Sequence, residues 1–147
     1  MHVIALLAPG QGSQTPGMLS PWLELEGAEK QVRTWSDLTG LDLVRLGTTA
    51  EAEEIVDTSI TQPLVVALAL LAFGELRRRL ELPAGVVVAG HSVGELAAAS
   101  IAGVISADDA VALAAVRCRD GRGLRAGADR HGRGARRRRA GGPRASG

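Results

Sequence analysis

The chain has 147 residues, 46% of them apolar and 22% charged, enough for one domain with its own core and too apolar for a wholly disordered chain. With no tyrosine, one phenylalanine and two tryptophans it has little with which to stack on single-stranded nucleic acid, and its one cysteine, Cys118, offers neither an intramolecular disulfide nor a zinc spacing, so a reducing cytoplasm is the expected compartment. The formal net charge of +1 is an average of two unlike parts: residues 1–117 carry a net −7, and residues 118–147 a net +8 with Leu124 as their only large aliphatic side chain, too little apolar surface to offset the entropy of ordering them.

In chain order, MHVIALLAPGQGSQ has no basic leading region and only a short apolar run ending at Pro9-Gly10, which predicts a buried strand over residues 3–7 and no signal peptide. Residues 19–38 carry a helical pattern broken by Pro21 and Gly27, with Gly40 as a C-terminal stop, so two short helices are expected. Residues 51–57 read as an acidic first turn or a short helix. Thr61 to Leu80 reads as a long helix with Pro63 in its first turn and Arg77, Arg78 and Arg79 at its end, a polarity that suits the helix dipole. The longest apolar stretch, Leu64 to Phe73, is ten residues, short of the roughly 18 that span a bilayer, so no membrane segment is expected. Val86 to Ala89 is a β-branched run that leads directly into a glycine-flanked serine and an alanine-rich helix to about Ala102. Ser106 can cap a further helix through Val116, with Asp108 and Asp109 in its first turn. Strands separated by helices predict an α/β layered domain with a parallel sheet.

Gly90-His91-Ser92-Val93-Gly94 is a GxSxG pattern between a strand and a helix, the setting in which a strained turn presents a serine hydroxyl and the helix N-terminus polarises an attacking oxygen. The competing explanation is a tight packing turn with an incidental serine. Pro9-Gly10-Gln11-Gly12-Ser13-Gln14 follows the first strand. It lacks the lysine of a P-loop and the spacing of a dinucleotide site, and either serves as a simple turn or, if the two strands are neighbours, supplies a backbone N–H to an oxyanion beside that of Val93.

GQGSQ, Thr61-Gln62-Pro63 at a helix start, GHSVGE, AGVIS and a further arginine, Arg117, occur together, in this order, within the first 117 residues. Over those residues the chain resembles the malonyl-CoA:acyl-carrier-protein transacylase family, the acyltransferases of fatty-acid and polyketide synthesis. The resemblance implies an α/β, hydrolase-like parallel-sheet core with a nucleophile elbow, incomplete here because members are longer and carry an inserted ferredoxin-like subdomain and a C-terminal part. It implies Ser92 as the nucleophile that takes an acyl group from coenzyme A and yields it to the phosphopantetheine thiol of acyl carrier protein, with Gln11 and Val93 as backbone donors of the oxyanion hole. It also implies that Arg117 pairs with the free malonyl carboxylate, a task suited to a planar bidentate guanidinium, and that Gln62 lines the site. GHSVGE, with small aliphatic Val93, resembles malonyl-selective members, which implies malonyl in preference to methylmalonyl. Malonyl-CoA is the implied substrate and acyl carrier protein the implied partner, with no bound cofactor and no metal.

His91 adjoins Ser92, but neighbours in a tight elbow point apart, so it is expected to line or pack the site and not to act as base. The family's base is a different histidine further along, after the inserted subdomain. Residues 1–117 are therefore expected to be the N-terminal part of an acyltransferase domain. Residues 118–147 are expected to be an Arg/Gly-rich disordered tail arising from a frameshift or truncation, and the chain as written to have little or no transferase activity. Two alternatives stand beside this: a serine esterase or thioesterase using the same elbow with water as acceptor, and a non-enzymatic binder whose Arg136 to Arg139 run contacts nucleic acid or an acidic partner. The absence of accompanying aromatic residues argues against the nucleic-acid version.

Overall fold

A computed structural model describes residues 3–117; His2, Cys118, His131 and the whole basic segment 118–147 lie outside the described residues. The elements are β1 (Ala5–Ala8), α1 (Ser20–Leu23), α2 (Ala28–Thr39), α3 (Leu43–Thr48), α4 (Ala52–Ile55), α5 (Thr58–Arg79), β2 (Val87–Gly90) and α6 (Gly94–Ile101), followed by a helix over residues 107–117, here α7. The class is α/β, as expected. β1 and β2 pair in parallel, with Ala5 opposite Val87 and Ala8 opposite Gly90, so the two glycine-rich turns leave the same end of the sheet.

The helix boundaries follow local chemistry. Gly27 and Gly40 both adopt left-handed backbone, at φ 78° and 70°, which ends one helix and begins or closes the next at little steric cost. α3 was not expected from the sequence; its signal is Asp42, whose carboxylate accepts the Arg45 N–H at 3.0 Å and caps a helix too short to show a period. α5 begins at Thr58, three residues before the expected Thr61, because Asp57 caps it by accepting the Ser59 N–H at 2.8 Å. Pro63 consequently lies within the helix and not in its first turn. Both strands also sit later than expected: β1 covers 5–8 instead of 3–7, and β2 covers 87–90. Ser106 caps α7 as expected, its hydroxyl accepting the Asp109 N–H at 3.0 Å.

The core is built on the first half of α5, where every residue from Thr61 to Ala67 is buried. Leu19, Val32, Trp35, Leu43 and Ile55 close around it from α1 to α4. By length and composition α5 is apolar enough to cross a membrane, which the ten-residue stretch did not foretell; here half of its apolar window is buried against the other elements of the same fold. α7 presents Ala110, Val111, Ala114 and Ala115 to the core. Alanine faces set a helix close but define its axial position weakly, because few side chains interdigitate. A directional contact adds that definition: the Trp35 indole N–H donates to Asp108 Oδ1 at 2.8 Å, and the Gln31 amide donates to the same oxygen at 3.1 Å. This ties the start of α7 to α2.

Candidate active site

Ser92 stands in the turn between β2 and α6 with φ 54°, and it is the one non-glycine residue with positive φ among the described residues. A left-handed serine costs conformational energy, which a structure retains where surrounding contacts over-determine it. Three glycines provide those contacts. A Cβ on Gly90 would run into the Gly94 carbonyl, and one on Gly94 would run into the carbonyl oxygens of Ala8 and Pro9, so the elbow sits directly on the end of β1. A Cβ on Gly10 would lie 2.7 Å from His91 Nδ1. Backbone bonds complete the turn: His91 N–H donates to the Ala8 carbonyl at 3.1 Å, and Gly94 N–H to the His91 carbonyl at 2.9 Å.

The sequence left open whether the Gln11 loop meets the serine turn. The structure brings them together, since β1 and β2 are hydrogen-bonded neighbours and Gly10 packs on His91. The loop is further fixed by Gln11 Nε2, which donates to Thr58 Oγ1 at 3.1 Å, and by the Ser13 hydroxyl, which donates to the Gly10 carbonyl at 3.0 Å. In the elbow, Gly94, Glu95 and Leu96 spend their N–H groups on the carbonyls of His91, Ser92 and Val93. Neither Gln11 nor Val93 is a backbone donor in any loop or turn hydrogen bond among the described residues. Val93 is fully buried.

His91 is exposed and rests against Gly10. Gln62 is buried, at 8% exposure, one turn along α5 from the Thr58 that holds Gln11. Arg117 is exposed at the end of α7, and none of the ion pairs among the described residues uses it. Those pairs lie elsewhere. Glu54 is held below its ordinary pKa by the Arg45 guanidinium that donates to it, and Glu75 is held down by hydrogen bonds and charge from Arg79 and Arg78. No group of three or more His, Cys, Asp or Glu side chains among the described residues is placed to hold a metal ion. Two long-range contacts escaped the sequence reading, Thr58 with Gln11 at the site and Asp108 with Trp35 between α7 and α2. Thr58 and Asp108 are ordinary helix-start residues whose partners lie 47 and 73 positions away.

The acyl transferase domain family matches residues 6–140, past the boundary at 117 where the resemblance was expected to end. The malonyl CoA-acyl carrier protein transacylase of Mycobacterium tuberculosis (strain ATCC 25618 / H37Rv) is 67% identical over 116 residues, which make up 78% of this chain and 38% of that protein. The crystal structure of MCAT from Mycobacterium tuberculosis superposes with a TM-score of 0.76 at 68% identity, over 79% of this chain and 39% of that one. A type II PKS acyl-carrier protein in complex with its malonyl-transacylase contains a chain 32% identical, with a TM-score of 0.72, over 80% of this chain and 38% of that one. The chain thus spans about two-fifths of the length of the relatives it matches. With two-thirds of the residues aligned to the Mycobacterium tuberculosis relative identical and the backbone following the same course, the chain belongs to the acyl transferase domain family.

Proposed function

We propose that these residues form the nucleophile half of an enzyme that moves a malonyl group from malonyl-CoA to acyl carrier protein through an ester on Ser92. The observation that carries this reading is the left-handed Ser92, held at a strand-to-helix turn that rests on the Gln11 loop. In the first half-reaction the Ser92 oxygen adds to the thioester carbonyl, the carbonyl electrons move to an oxyanion, and collapse breaks the carbon–sulfur bond to release coenzyme A with the serine proton. In the second, the carrier's phosphopantetheine thiol adds to the serine ester and the serine oxygen leaves, recovering its proton. Both steps pass through one oxyanion position, for which the Gln11 and Val93 N–H groups are the donors we assign, assisted by the N-terminus of α6.

Arg117 is the group we assign to the malonyl carboxylate, because an exposed guanidinium free of the described ion pairs is suited to a planar bidentate contact. Gln62, one turn along α5 from Thr58, is the residue we assign to line the site. His91 is the only histidine among the described residues, and its place against Gly10 suits packing better than proton transfer. The base therefore comes from the part of the fold beyond these residues, and the chain by itself is expected to acylate Ser92 only slowly. We place the reaction in the cytoplasm; the single cysteine supports that compartment.

The test uses the chain completed with the remaining three-fifths of the Mycobacterium tuberculosis relative, given malonyl-CoA and holo acyl carrier protein. A malonyl ester on Ser92 that passes to the carrier is the expected result, with Ser92→Ala slowing transfer by about 10⁴-fold or more. Arg117→Ala is expected to raise KM for malonyl-CoA while leaving acetyl-CoA unaffected. Release of free malonate without carrier loading would establish an esterase instead.

A further inference from the structure

The loop of residues 9–14 carries the Gln11 N–H between two glycines, where the backbone has most freedom. Gly12 has φ 109° and open space where a Cβ would stand, so no neighbour restrains it from that side. Side-chain hydrogen bonds do the restraining. The Ser13 hydroxyl donates to the Gly10 carbonyl at 3.0 Å and the Gly12 N–H donates to Gln14 Oε1 at 2.8 Å, and both close the loop on itself. A third bond leaves the loop: Gln11 Nε2 donates to Thr58 Oγ1 at 3.1 Å, across 47 positions of sequence. Thr58 is a firm post for it. It opens α5, the helix in which every residue from Thr61 to Ala67 is buried. Asp57 caps that start by accepting the Ser59 N–H at 2.8 Å and the Ser59 hydroxyl at 2.7 Å, and the Thr61 hydroxyl donates to the Ile55 carbonyl of α4. An amide held on this post restrains the Gln11 Cα, and through it the backbone N–H bonded to the same carbon.

We propose that Thr58 is a positioning residue for acyl transfer: its hydroxyl oxygen, by accepting the Gln11 side-chain amide, holds the Gln11 backbone N–H where the oxyanion forms. Thr58 itself touches neither substrate nor nucleophile and acts through Gln11. The chemistry rests on the proposed function, and the geometry on the bond between Gln11 and Thr58. A donor stabilises an oxyanion best when it is already aimed before the charge develops; one that swings freely has to reorganise in every turnover. Loss of the tether therefore slows formation of the tetrahedral intermediate and leaves binding of the thioester unchanged. Both side chains are exposed, so the bond competes with water, and the expected loss is about three- to tenfold in rate, well short of removing the donor itself.

Thr58→Val keeps the shape of the side chain and removes the acceptor, whereas Thr58→Ser keeps the acceptor. In the 147-residue chain, 15N relaxation reads the loop directly. The order parameter of the Gln11 N–H is expected near the rigid value of about 0.85 in the parent and in Thr58→Ser, and below about 0.6 in Thr58→Val. The chemistry is read in the chain completed with the remaining part of the Mycobacterium tuberculosis relative, as the single-turnover rate constant of Ser92 with malonyl-CoA and with a fluorophosphonate, which phosphonylates the serine with loss of fluoride. That rate constant does not depend on the fraction of protein that is folded, so a variant that only loses stability leaves it unmoved. Thr58→Val is expected to lower it at least about threefold with both reagents while KM for malonyl-CoA stays put, and Thr58→Ser to restore it. Gln11→Ala keeps the backbone N–H and should lower the rate constant as much, and the double variant no further, because both substitutions break one bond. A Gln11 N–H that stays rigid in Thr58→Val, a smaller loss of rate, an effect on KM alone, failure of Thr58→Ser to restore the rate, or additive losses in the double variant would each overturn the proposal. A Ser92 that is phosphonylated with the expected losses but never malonylated would instead sink the proposed function and leave the Thr58 tether standing.

Discussion

The helical region from α1 through the first half of α5 and the strand region that carries Ser92 are completed in different ways. In the first, Leu19, Val32, Leu43 and Leu64 are fully buried and Trp35 and Ile55 are 2% exposed, all supplied by one continuous stretch of chain. In the second, a two-stranded parallel sheet keeps one face covered by α6 and leaves Leu7 and Val87 open. The difference is one of sequence distance. Helices packed through short loops bury each other's apolar stripes locally, whereas parallel strands join only through long crossovers, so their coverage has to come from remote chain. The serine elbow lies in the region that depends on remote chain, and the structural core lies in the one that does not.

Trp35→Ala strikes the self-sufficient region and is the largest effect expected, about 3–5 kcal/mol from lost packing alone. Urea denaturation followed by circular dichroism measures it, and a loss below about 1 kcal/mol would mean that the helical core is not what holds the chain. Gly94→Val strikes the other region, because its side chain would overlap the Ala8 and Pro9 carbonyls and force the elbow off β1. It is expected to cost about 1–3 kcal/mol and, in the chain completed with the remaining part of the relative, to abolish labelling of Ser92 by a serine-reactive fluorophosphonate while the helical signal persists. Retained labelling would show that the elbow does not need β1 beneath it. Asp108→Ala tests the tie between α2 and α7; it leaves the buried Trp35 N–H without its acceptor and should cost about 1–3 kcal/mol, whereas Asp108→Asn, which keeps an acceptor oxygen, should cost much less.

The smallest effect is a pH dependence at the far end of α5. Hydrogen bonds from Arg79, with charge from Arg79 and Arg78, lower the Glu75 pKa from its ordinary 4.5. A carboxyl lowered on folding contributes stability that is complete above the ordinary value and is lost as pH falls through the lowered one. The arginines are 60% and 71% exposed, so solvent screens the contribution. Glu75→Gln should therefore flatten the acid limb of a thermal-stability profile slightly, because it removes a small contribution that is present at neutral pH and already lost in strong acid. A change at neutral pH larger than that of Asp108→Asn would mean that Glu75 packs α5 and does more than pair with arginine.

Much of this was legible because it is local chemistry. Gly27 and Gly40 marked helix ends, Ser106 marked a cap, and the strand before GHSVGE marked Ser92 as the elbow residue. Where the sequence misled, a nearby signal outweighed another: Pro63 looked like a first-turn proline, and the Asp57 cap that starts α5 earlier was passed over. α3 was missed because six residues are too few for a period to show.

By itself the sequence determined every element but α3, together with the elbow and the family, since caps, glycine turns and a strand-to-serine-to-helix order act over a few residues. Only the tertiary structure decided that β1 lies parallel beside β2, which is what sets the Gln11 loop against the serine turn. It also decided that Thr58 holds that loop, that Asp108 satisfies the buried Trp35, and that one face of the sheet stays open. These contacts join residues tens of positions apart, and no local periodicity encodes which distant surfaces meet; burial and hydrogen-bond satisfaction across the whole fold select them.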